Sequence, residues 1–290
     1  MSDSAYLLTL YGGGGSAASS ASMIDTIYGL AGSGGTSTAP PYGITTGNPI
    51  VALQEAQATQ TQGIANEAKQ PQVERTLAQF NAAVQGATSV QQLLSNPDVL
   101  NVLLTANGLG SQTGFTALAQ KALMSDPSDP NSLVNQLTNT NWKSAAQTYQ
   151  FATKGLAVIQ NPQVLSTIAN GYTEVLWRQS LDSAVPGLSN ALSFKQQASS
   201  ITSVDQILGD STLRTVVTTA LGIPQQIAFQ DLTAQETAIS SRVDISKFQD
   251  PNFVNAFTQQ YLLAAAGNTA TTGGGTSLDS LAVHAQGLVV

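Results

Sequence analysis

The pattern of apolar residues between positions 49 and 265 is helical. Apolar residues recur there at spacings of three and four, which places them on one face of an α-helix. Asn-Pro and Gln-Pro steps restart the pattern, since proline is favoured at the first helical position. No convincing run alternates with the period of two that is typical of a strand. The fold class is therefore predicted to be all-α, with helices over 49–70, 71–86, 90–94, 97–107, 115–124, 132–137, 141–153 and 162–184, and further helices between 188 and 264.

The same apolar pattern occurs twice in the chain. Residues 80–118 align without a gap with residues 194–232, an offset of 114, and the alignment resumes beyond 232 after a shortening of three residues. Such internal similarity is typical of a duplicated structural unit. We therefore predict two tandem, internally duplicated helical units, 49–160 and 161–265, of which the second includes a connecting helix. Matching positions include Phe80 with Phe194, Thr88 with Thr202, Gly108 with Gly222, Phe115 with Phe229, and Trp142 with Phe253.

Both ends of the chain have a different composition. Residues 1–48 are rich in Gly and Ser and are predicted to form a disordered or loosely ordered arm, and residues 266–290 a flexible tail. A Sec signal is not expected, because such a signal begins with basic residues and the first Lys or Arg is Lys69. A polar, Ser-rich arm is compatible with export through a type III pathway. The expected location is therefore the cytoplasm or that export route.

Composition excludes several classes of function. The 290 residues carry a net charge of −7, and only 9% of them are charged, against about 25% in ordinary proteins. Ten scattered Lys and Arg residues do not provide the basic surface that binds a phosphate backbone, so no nucleic-acid partner is expected. No apolar run reaches the ~20 residues of a membrane span, and the absence of Cys rules out thiol chemistry. A neutral surface of Gln, Asn, Ser and Thr suits packing against protein partners.

Few residues suggest chemistry. The single histidine, His284, lies in the predicted tail, where nothing would orient it as a catalytic base. The segment 126–131 contains two Asp residues, but its two prolines and its lack of Gly and Glu do not fit a calcium-binding loop. Turn and helix-cap chemistry accounts for these residues instead. No metal and no cofactor are therefore predicted.

Two further features have structural explanations. Glu174 and Arg178 lie four residues apart on a predicted helix, the ordinary stabilising spacing of an ion pair. Trp142 and Trp177 occur at helical spacing among apolar residues and are predicted to lie in the core. We therefore predict no catalytic, cofactor-binding or metal-binding residues.

Several segments together resemble a known protein family. They are Leu103–Leu109, Ala119–Leu133, Arg242–Phe248, Asp250–Val254 and Tyr261-Leu262. In combination they are similar to a bacterial family of unknown function whose repeated helical domain is often encoded among flagellar genes, especially in alphaproteobacteria. The resemblance covers roughly residues 50–265. It implies a non-enzymatic, structural or interaction role associated with the flagellum or its export and assembly, and it provides no catalytic residues.

Two other hypotheses remain open at this point. A cytoplasmic helical binding module or chaperone-like factor fits the same composition. An enzyme would require a site between the two units, formed as a deep pocket with converging acids or hydroxyls. The sequence predicts protein partners, but it identifies neither the partner nor the oligomeric state.

Overall fold

A computed structural model describes the backbone of residues 44–272 and the side chains of residues 44–267. Every regular element in this range is an α-helix or a short 3-10 helix, which confirms the all-α prediction. The helices are α1 (Pro49–Glu67), α2 (Pro71–Gly86), α3 (Val90–Leu94), α4 (Pro97–Ala106), α5 (Thr116–Leu123), α6 (Leu133–Gln136), α7 (Thr140–Tyr149), α8 (Phe151–Lys154), α9 (Pro162–Leu181), α10 (Leu188–Gln197), α11 (Val204–Gly209), α12 (Ser211–Ala220), α13 (Leu232–Ser240) and α14 (Pro251–Thr272). The 3-10 helices are Gly110–Gln112, Ala198–Ser200, Gln225–Phe229 and Ile245–Gln249.

The Asn-Pro steps begin helices as expected. The Oδ1 atom of Asn48 accepts hydrogen bonds from the backbone N–H groups of Ile50 and Val51 at the start of α1. Asn96 and Asn161 cap α4 and α9 in the same way. Each cap satisfies backbone donors that have no partner within the helix, and the proline that follows has no N–H to satisfy.

The glycines after α4 and α12 end those helices by the same geometry. Gly108 and Gly222 have φ values of +72° and +60°, which lie in the left-handed region that favours glycine. The next residues, Leu109 and Ile223, donate their backbone N–H groups across the turn at 2.7 and 2.8 Å. Both ends are Schellman motifs, with a buried apolar residue just after the glycine.

The helices recur in the same order at the offset found in the sequence. Adding 114 to the bounds of α4, 97–106, gives 211–220, the bounds of α12. The starts of α3 and α11, residues 90 and 204, differ by the same 114, and the preceding residues Ser89 and Ser203 cap both helices. The duplication itself stays a prediction, and this agreement of element order and bounds supports it.

Buried apolar side chains form two clusters that do not coincide with the two predicted units. The first cluster extends from Val73 to Tyr172, and the second combines α1 with residues from Trp177 to Leu262. Helix α1 therefore packs on the second cluster, although it opens the first predicted unit. Helix α9 contributes its first half to the first cluster and its second half to the second.

The structure changes the boundaries predicted for the two ends. Ile44 is buried in the second cluster, and Thr45 donates its backbone N–H and its hydroxyl to the carboxylate of Glu55. Residues 44–48 are therefore part of the folded body, because these contacts hold them in place. Helix α14 continues to Thr272, beyond the predicted start of the tail at 266. The remainder of the arm and tail predictions, and His284, lie outside the described residues.

One predicted helix is broken in two. The segment predicted as a helix over 141–153 divides into α7 and α8 at Gln150, whose φ of +49° is incompatible with a continuing helix. The aromatic rings of Tyr149 and Phe151 lie on either side of the break and are both buried in the first cluster, with centroids 5.6 Å apart. Burial of both rings accompanies the break, which nothing in the local sequence indicates.

Candidate functional site

A polar cleft of about 610 Å³ lies between the two predicted units. It lies where the end of α4, the middle of α9, the length of α10 and the start of α12 approach one another. Most of its lining side chains carry a hydroxyl or an amide: Thr105, Ser111, Thr167, Ser189, Ser193, Ser211 and Thr212, with Asn107, Asn141, Gln179, Asn190, Gln196 and Gln197. We refer to it as the polar cleft.

Several cleft hydroxyls already have partners within the protein. The Ser189 hydroxyl donates to the carboxylate of Asp182, which also accepts the Ser189 backbone N–H at 2.9 Å. Asp182 therefore acts as a cap at the start of α10. The Thr167 hydroxyl donates to a backbone carbonyl of its own helix, and Ser193 accepts from Arg178. The hydroxyls converge as an enzyme would require, but these hydrogen bonds are those of helix caps and buried networks.

Glu174 and Arg178 are the charged residues that line the cleft, and they form the predicted pair at 3.4 Å. Arg178 is only 7% exposed, and burial lowers the pKa of its guanidinium, opposed by the nearby Glu174 charge. Its Nη1 donates to Ser193 at 3.1 Å and to Gln196 at 2.9 Å. Gln60 donates to the same Glu174 oxygen at 3.3 Å, so the network joins α1, α9 and α10.

A smaller pocket of about 270 Å³ shares three residues with the polar cleft, namely Glu174, Arg178 and Gln196. Its other lining residues are Gln57, Gln60, Trp177, Leu192 and Lys195. The Trp177 ring, which forms part of the pocket wall, is fully buried from solvent. We refer to this space as the cationic pocket, because Arg178 and Lys195 both line it.

A buried carboxylate connects the two predicted units below the cleft. Asp210, 4% exposed, caps α12 by accepting the backbone N–H groups of Thr212 and Leu213 at 2.8 and 3.0 Å. Its second oxygen accepts from the side-chain amides of Asn139 and Asn141 at 3.2 and 3.4 Å. Asp210 therefore satisfies polar groups of both units at once.

The acidic segment 126–131 behaves as the sequence predicted. Asp126 accepts the backbone N–H and the hydroxyl of Ser128, and Asp129 accepts the backbone N–H of Asn131. The Ser128 hydroxyl and then its backbone N–H lower the pKa of Asp126, since both stabilise the charged carboxylate. Within the described part of the chain, no group of three His, Cys, Asp or Glu side chains is placed to hold a metal ion.

Two phenylalanines at matching positions point into solvent. Phe115 is 59% exposed and Phe229 is 88% exposed. Phe115 lies between the 3-10 helix Gly110–Gln112 and α5, and Phe229 is the last residue of the 3-10 helix Gln225–Phe229 that precedes α13. Leu232, three residues after Phe229, is also exposed. Exposed aromatic residues contribute little to a core, so their recurrence in both units indicates a role outside it.

The sequence did not predict the polar cleft. Its residues come from five separated segments of the chain, and the sequence of each segment is that of a polar helix face or turn. One signal was present in α10, where Ser189, Asn190, Ser193, Gln196 and Gln197 follow helical spacing on one face. Only the packing of α10 against α4 and α9 turns that face into a cleft wall. Trp142 and Trp177 are both buried, as predicted.

One solved structure has a fold similar to that of this chain. The crystal structure of a protein from Agrobacterium tumefaciens, determined by a structural genomics consortium, is similar with a TM-score of 0.62 and 21% sequence identity. The match covers 78% of this chain and 97% of that one, and at this identity it concerns the fold alone.

Among the described residues, no helix is both long and apolar enough to cross a bilayer. A search of curated proteins finds no match.

The family model described as "Protein of unknown function (DUF1217)" matches residues 106–254. This match includes α5 to α13 entirely, and therefore both walls of the polar cleft on α9 and α10. It covers just over half of the 290 residues. The chain therefore belongs to the DUF1217 family of proteins of unknown function.

Proposed function

We propose that this protein is a non-enzymatic structural or interaction protein associated with the bacterial flagellum or with its export and assembly. The association with the flagellum rests on the sequence resemblance over residues 50–265. The interaction role rests on one observation, the exposure of Phe115 and Phe229 at matching positions. Burying a phenylalanine side chain contributes about 2–3 kcal/mol, so a partner that covers both exposed rings would gain this stabilisation from each of them.

The neutral surface supports the same role. Since only 9% of the residues are charged, contacts formed around the two phenylalanines would consist of neutral hydrogen bonds and apolar burial. Such contacts depend weakly on salt, unlike contacts between opposite charges. We therefore expect a complex with a protein partner to survive washing at high ionic strength.

The proposal is tested by location and by loss of function. In a flagellated host, deletion of the gene should impair swimming or filament assembly, and the protein should be present in the flagellar or the culture-supernatant fraction. Complementation with the double variant Phe115→Ser/Phe229→Ser should fail, and complementation with Leu263→Ser should succeed, because Leu263 is an exposed apolar residue outside the matching pair. Normal swimming and normal filaments in the deletion strain would contradict the proposal.

The polar cleft favours a second candidate, a cytoplasmic helical binding module or chaperone-like factor. Its amide and hydroxyl lining can bond the main chain of an extended polypeptide, which offers both donors and acceptors. This candidate predicts that the protein stays in the cytosol. It also predicts that Gln179→Trp, which fills the cleft from an exposed position, abolishes co-purification of the partner while Phe115→Ser/Phe229→Ser does not.

A further inference from the structure

Positive charge is scarce in this protein, yet two cationic side chains line one small pocket. The chain has 10 Lys and Arg residues against 17 Asp and Glu residues. Arg178 and Lys195 both line the cationic pocket, and Glu174 is the acid that lines it with them. The three side chains together carry a net charge of +1, in a chain whose net charge is −7.

One of the two cations has no counter-ion in the described part of the protein. The amine of Lys195 donates to Asn255, a neutral amide, and among the described residues it forms no ion pair. Arg178 pairs with Glu174 at 3.4 Å, so the charge that stays uncompensated in the pocket is that of Lys195. The Nε atom of Arg178 is buried and has no hydrogen-bond partner. Burial lowers the pKa of both Arg178 and Lys195, which shows that each cation is partly removed from water.

The rest of the pocket combines apolar and amide surfaces. Leu192 and the buried ring of Trp177 form its apolar side. Gln196 uses its Oε1 atom to accept from Arg178, which leaves its side-chain N–H groups able to donate to an anion. Gln57 adds a second amide. A ligand that fits this lining has one anionic end and a short apolar body.

We propose that the cationic pocket binds a carboxylate that carries a short apolar group, with Lys195 and the Arg178 guanidinium as its cationic walls. One negative charge balances the net +1 of the pocket. A phosphate dianion would leave an excess negative charge next to Glu174, where the cost of a like charge is largest. This site is separate from the exposed phenylalanines, so it does not depend on the proposed function.

The carboxylate could belong to a free small molecule or to the carboxyl terminus of a protein. Isothermal titration calorimetry of the full chain with butyrate tests the shared chemistry, and butyramide is the uncharged control of nearly the same shape. We expect saturable binding of butyrate with a Kd of about 1 mM, typical of a ligand of this size, and none of butyramide. Phosphate should bind at least tenfold more weakly than butyrate. The tripeptide Ala-Ala-Val then distinguishes the two sources. Binding of the peptide with a free but not with an amidated carboxyl terminus indicates a protein carboxyl terminus, and binding of butyrate without binding of either peptide indicates a free small molecule.

Variants locate the site. Lys195→Gln should weaken butyrate binding about tenfold, since a charge-assisted hydrogen bond is lost. Arg214→Gln, which removes an exposed guanidinium that lines neither cavity, should leave it unchanged. In a Trp142→Phe background, only Trp177 remains to fluoresce, and its emission should change on butyrate addition but not on butyramide addition.

Two sets of results would overturn the proposal. The first is equal binding of butyrate and butyramide, or no saturable response up to about 20 mM butyrate, twentyfold above the expected Kd. The second is butyrate binding that Lys195→Gln leaves intact. Lys195 is half-buried, and Asn255 is its one side-chain hydrogen-bond partner among residues 44–267, so this variant should fold, and the test does not depend on variants of Arg178.

Discussion

Replacing Gly63 with alanine tests how α1 is held on the second apolar cluster. Gly63 lies inside α1 and faces the indole of Trp177. A Cβ atom added there would lie 2.7 and 2.8 Å from two ring carbons of Trp177, and closer still to Nε1. The ring is fully buried, so any shift that relieves the contact disturbs the side chains of the second cluster packed around it.

Two opposing effects decide the sign of the change. Alanine is favoured over glycine inside a helix by about 1 kcal/mol. Overpacking a rigid core costs about 1–3 kcal/mol. Here the clash involves the Cβ atom of the new alanine, whose position is fixed by the backbone, so no rotamer change of residue 63 relieves it. Moving α1 away from the ring would instead expose Ala52, Leu53 and Ala56, and burial of the leucine side chain alone contributes about 2 kcal/mol. We expect Gly63→Ala to destabilise the protein by about 2 kcal/mol.

The measurement is urea unfolding followed by circular dichroism and by tryptophan fluorescence. Gly86→Ala is the matched control, because Gly86 is the exposed last residue of α2 and a Cβ atom there meets nothing within 4 Å. We expect the control to be neutral or stabilising by up to about 1 kcal/mol. Gly63→Ala should cost less in a Trp177→Phe background than in the wild type, since the five-membered ring that clashes is absent there. A Gly63→Ala protein as stable as the wild type would refute the predicted packing of α1.

Three further predictions concern stability. Asp210→Ala should lower the free energy of unfolding in urea by about 2–3 kcal/mol, because it removes a helix cap and leaves two buried amides without an acceptor. Asn96→Ala, which removes the matching cap of the first unit, should lower it by only about 1 kcal/mol. Burial raises the pKa of Tyr149 to about 12. The neutral Tyr149 side chain therefore stabilises the folded state fully below its unfolded pKa of 10.0, and this stabilisation is lost as the pH rises towards 12. An alkaline titration of tyrosinate absorbance should lose its highest transition in Tyr149→Phe, and an unchanged titration would contradict this. Gln150→Gly should stabilise the protein by about 1 kcal/mol because it relieves a left-handed residue, while Gln147→Gly, inside α7, should destabilise it by about the same amount. Equal effects of these two glycine substitutions would contradict the assigned strain.

The features that the sequence predicted well depend on residues close together in the chain. Asn48 caps a helix through the N–H groups two and three residues further on, and Gly108 ends a helix through hydrogen bonds that span five residues. Such interactions are decided by local sequence, whatever the rest of the chain does. The fold class and most helix starts follow from them.

The features that the sequence missed depend on contacts between distant segments. Helix α1 has few apolar residues, and nothing within it shows that Ala52 and Leu53 pack against the second cluster instead of the first. Gln150 is an ordinary helix-forming residue, and the break at that position accompanies the burial of Tyr149 and Phe151. The polar cleft was missed for the same reason, because polar residues on a helix predict solvent until a neighbouring helix covers them.

The contacts between α1 and α9 add an argument about how the two units are joined. Gln60 donates to Glu174, and Gly63 packs on Trp177, so both contacts join residues 114 positions apart. These pairs have the same offset of 114 as the aligned segments 80–118 and 194–232, so an extension of the predicted duplication to α1 and α9 would make them equivalent positions. In a symmetric dimer, equivalent residues that meet at the axis must be identical, so two tryptophans would collide and two glycines would leave a void. A single chain that contains both units can place glycine on one side and tryptophan on the other. It can also place the neutral Gln60 opposite Glu174, where a second glutamate would repel it. The packing of α1 on α9 therefore needs different residues at the two positions of each pair, glycine opposite tryptophan and glutamine opposite glutamate. If the duplication extends to these helices, this interface is one that neither unit could form with an identical copy of itself.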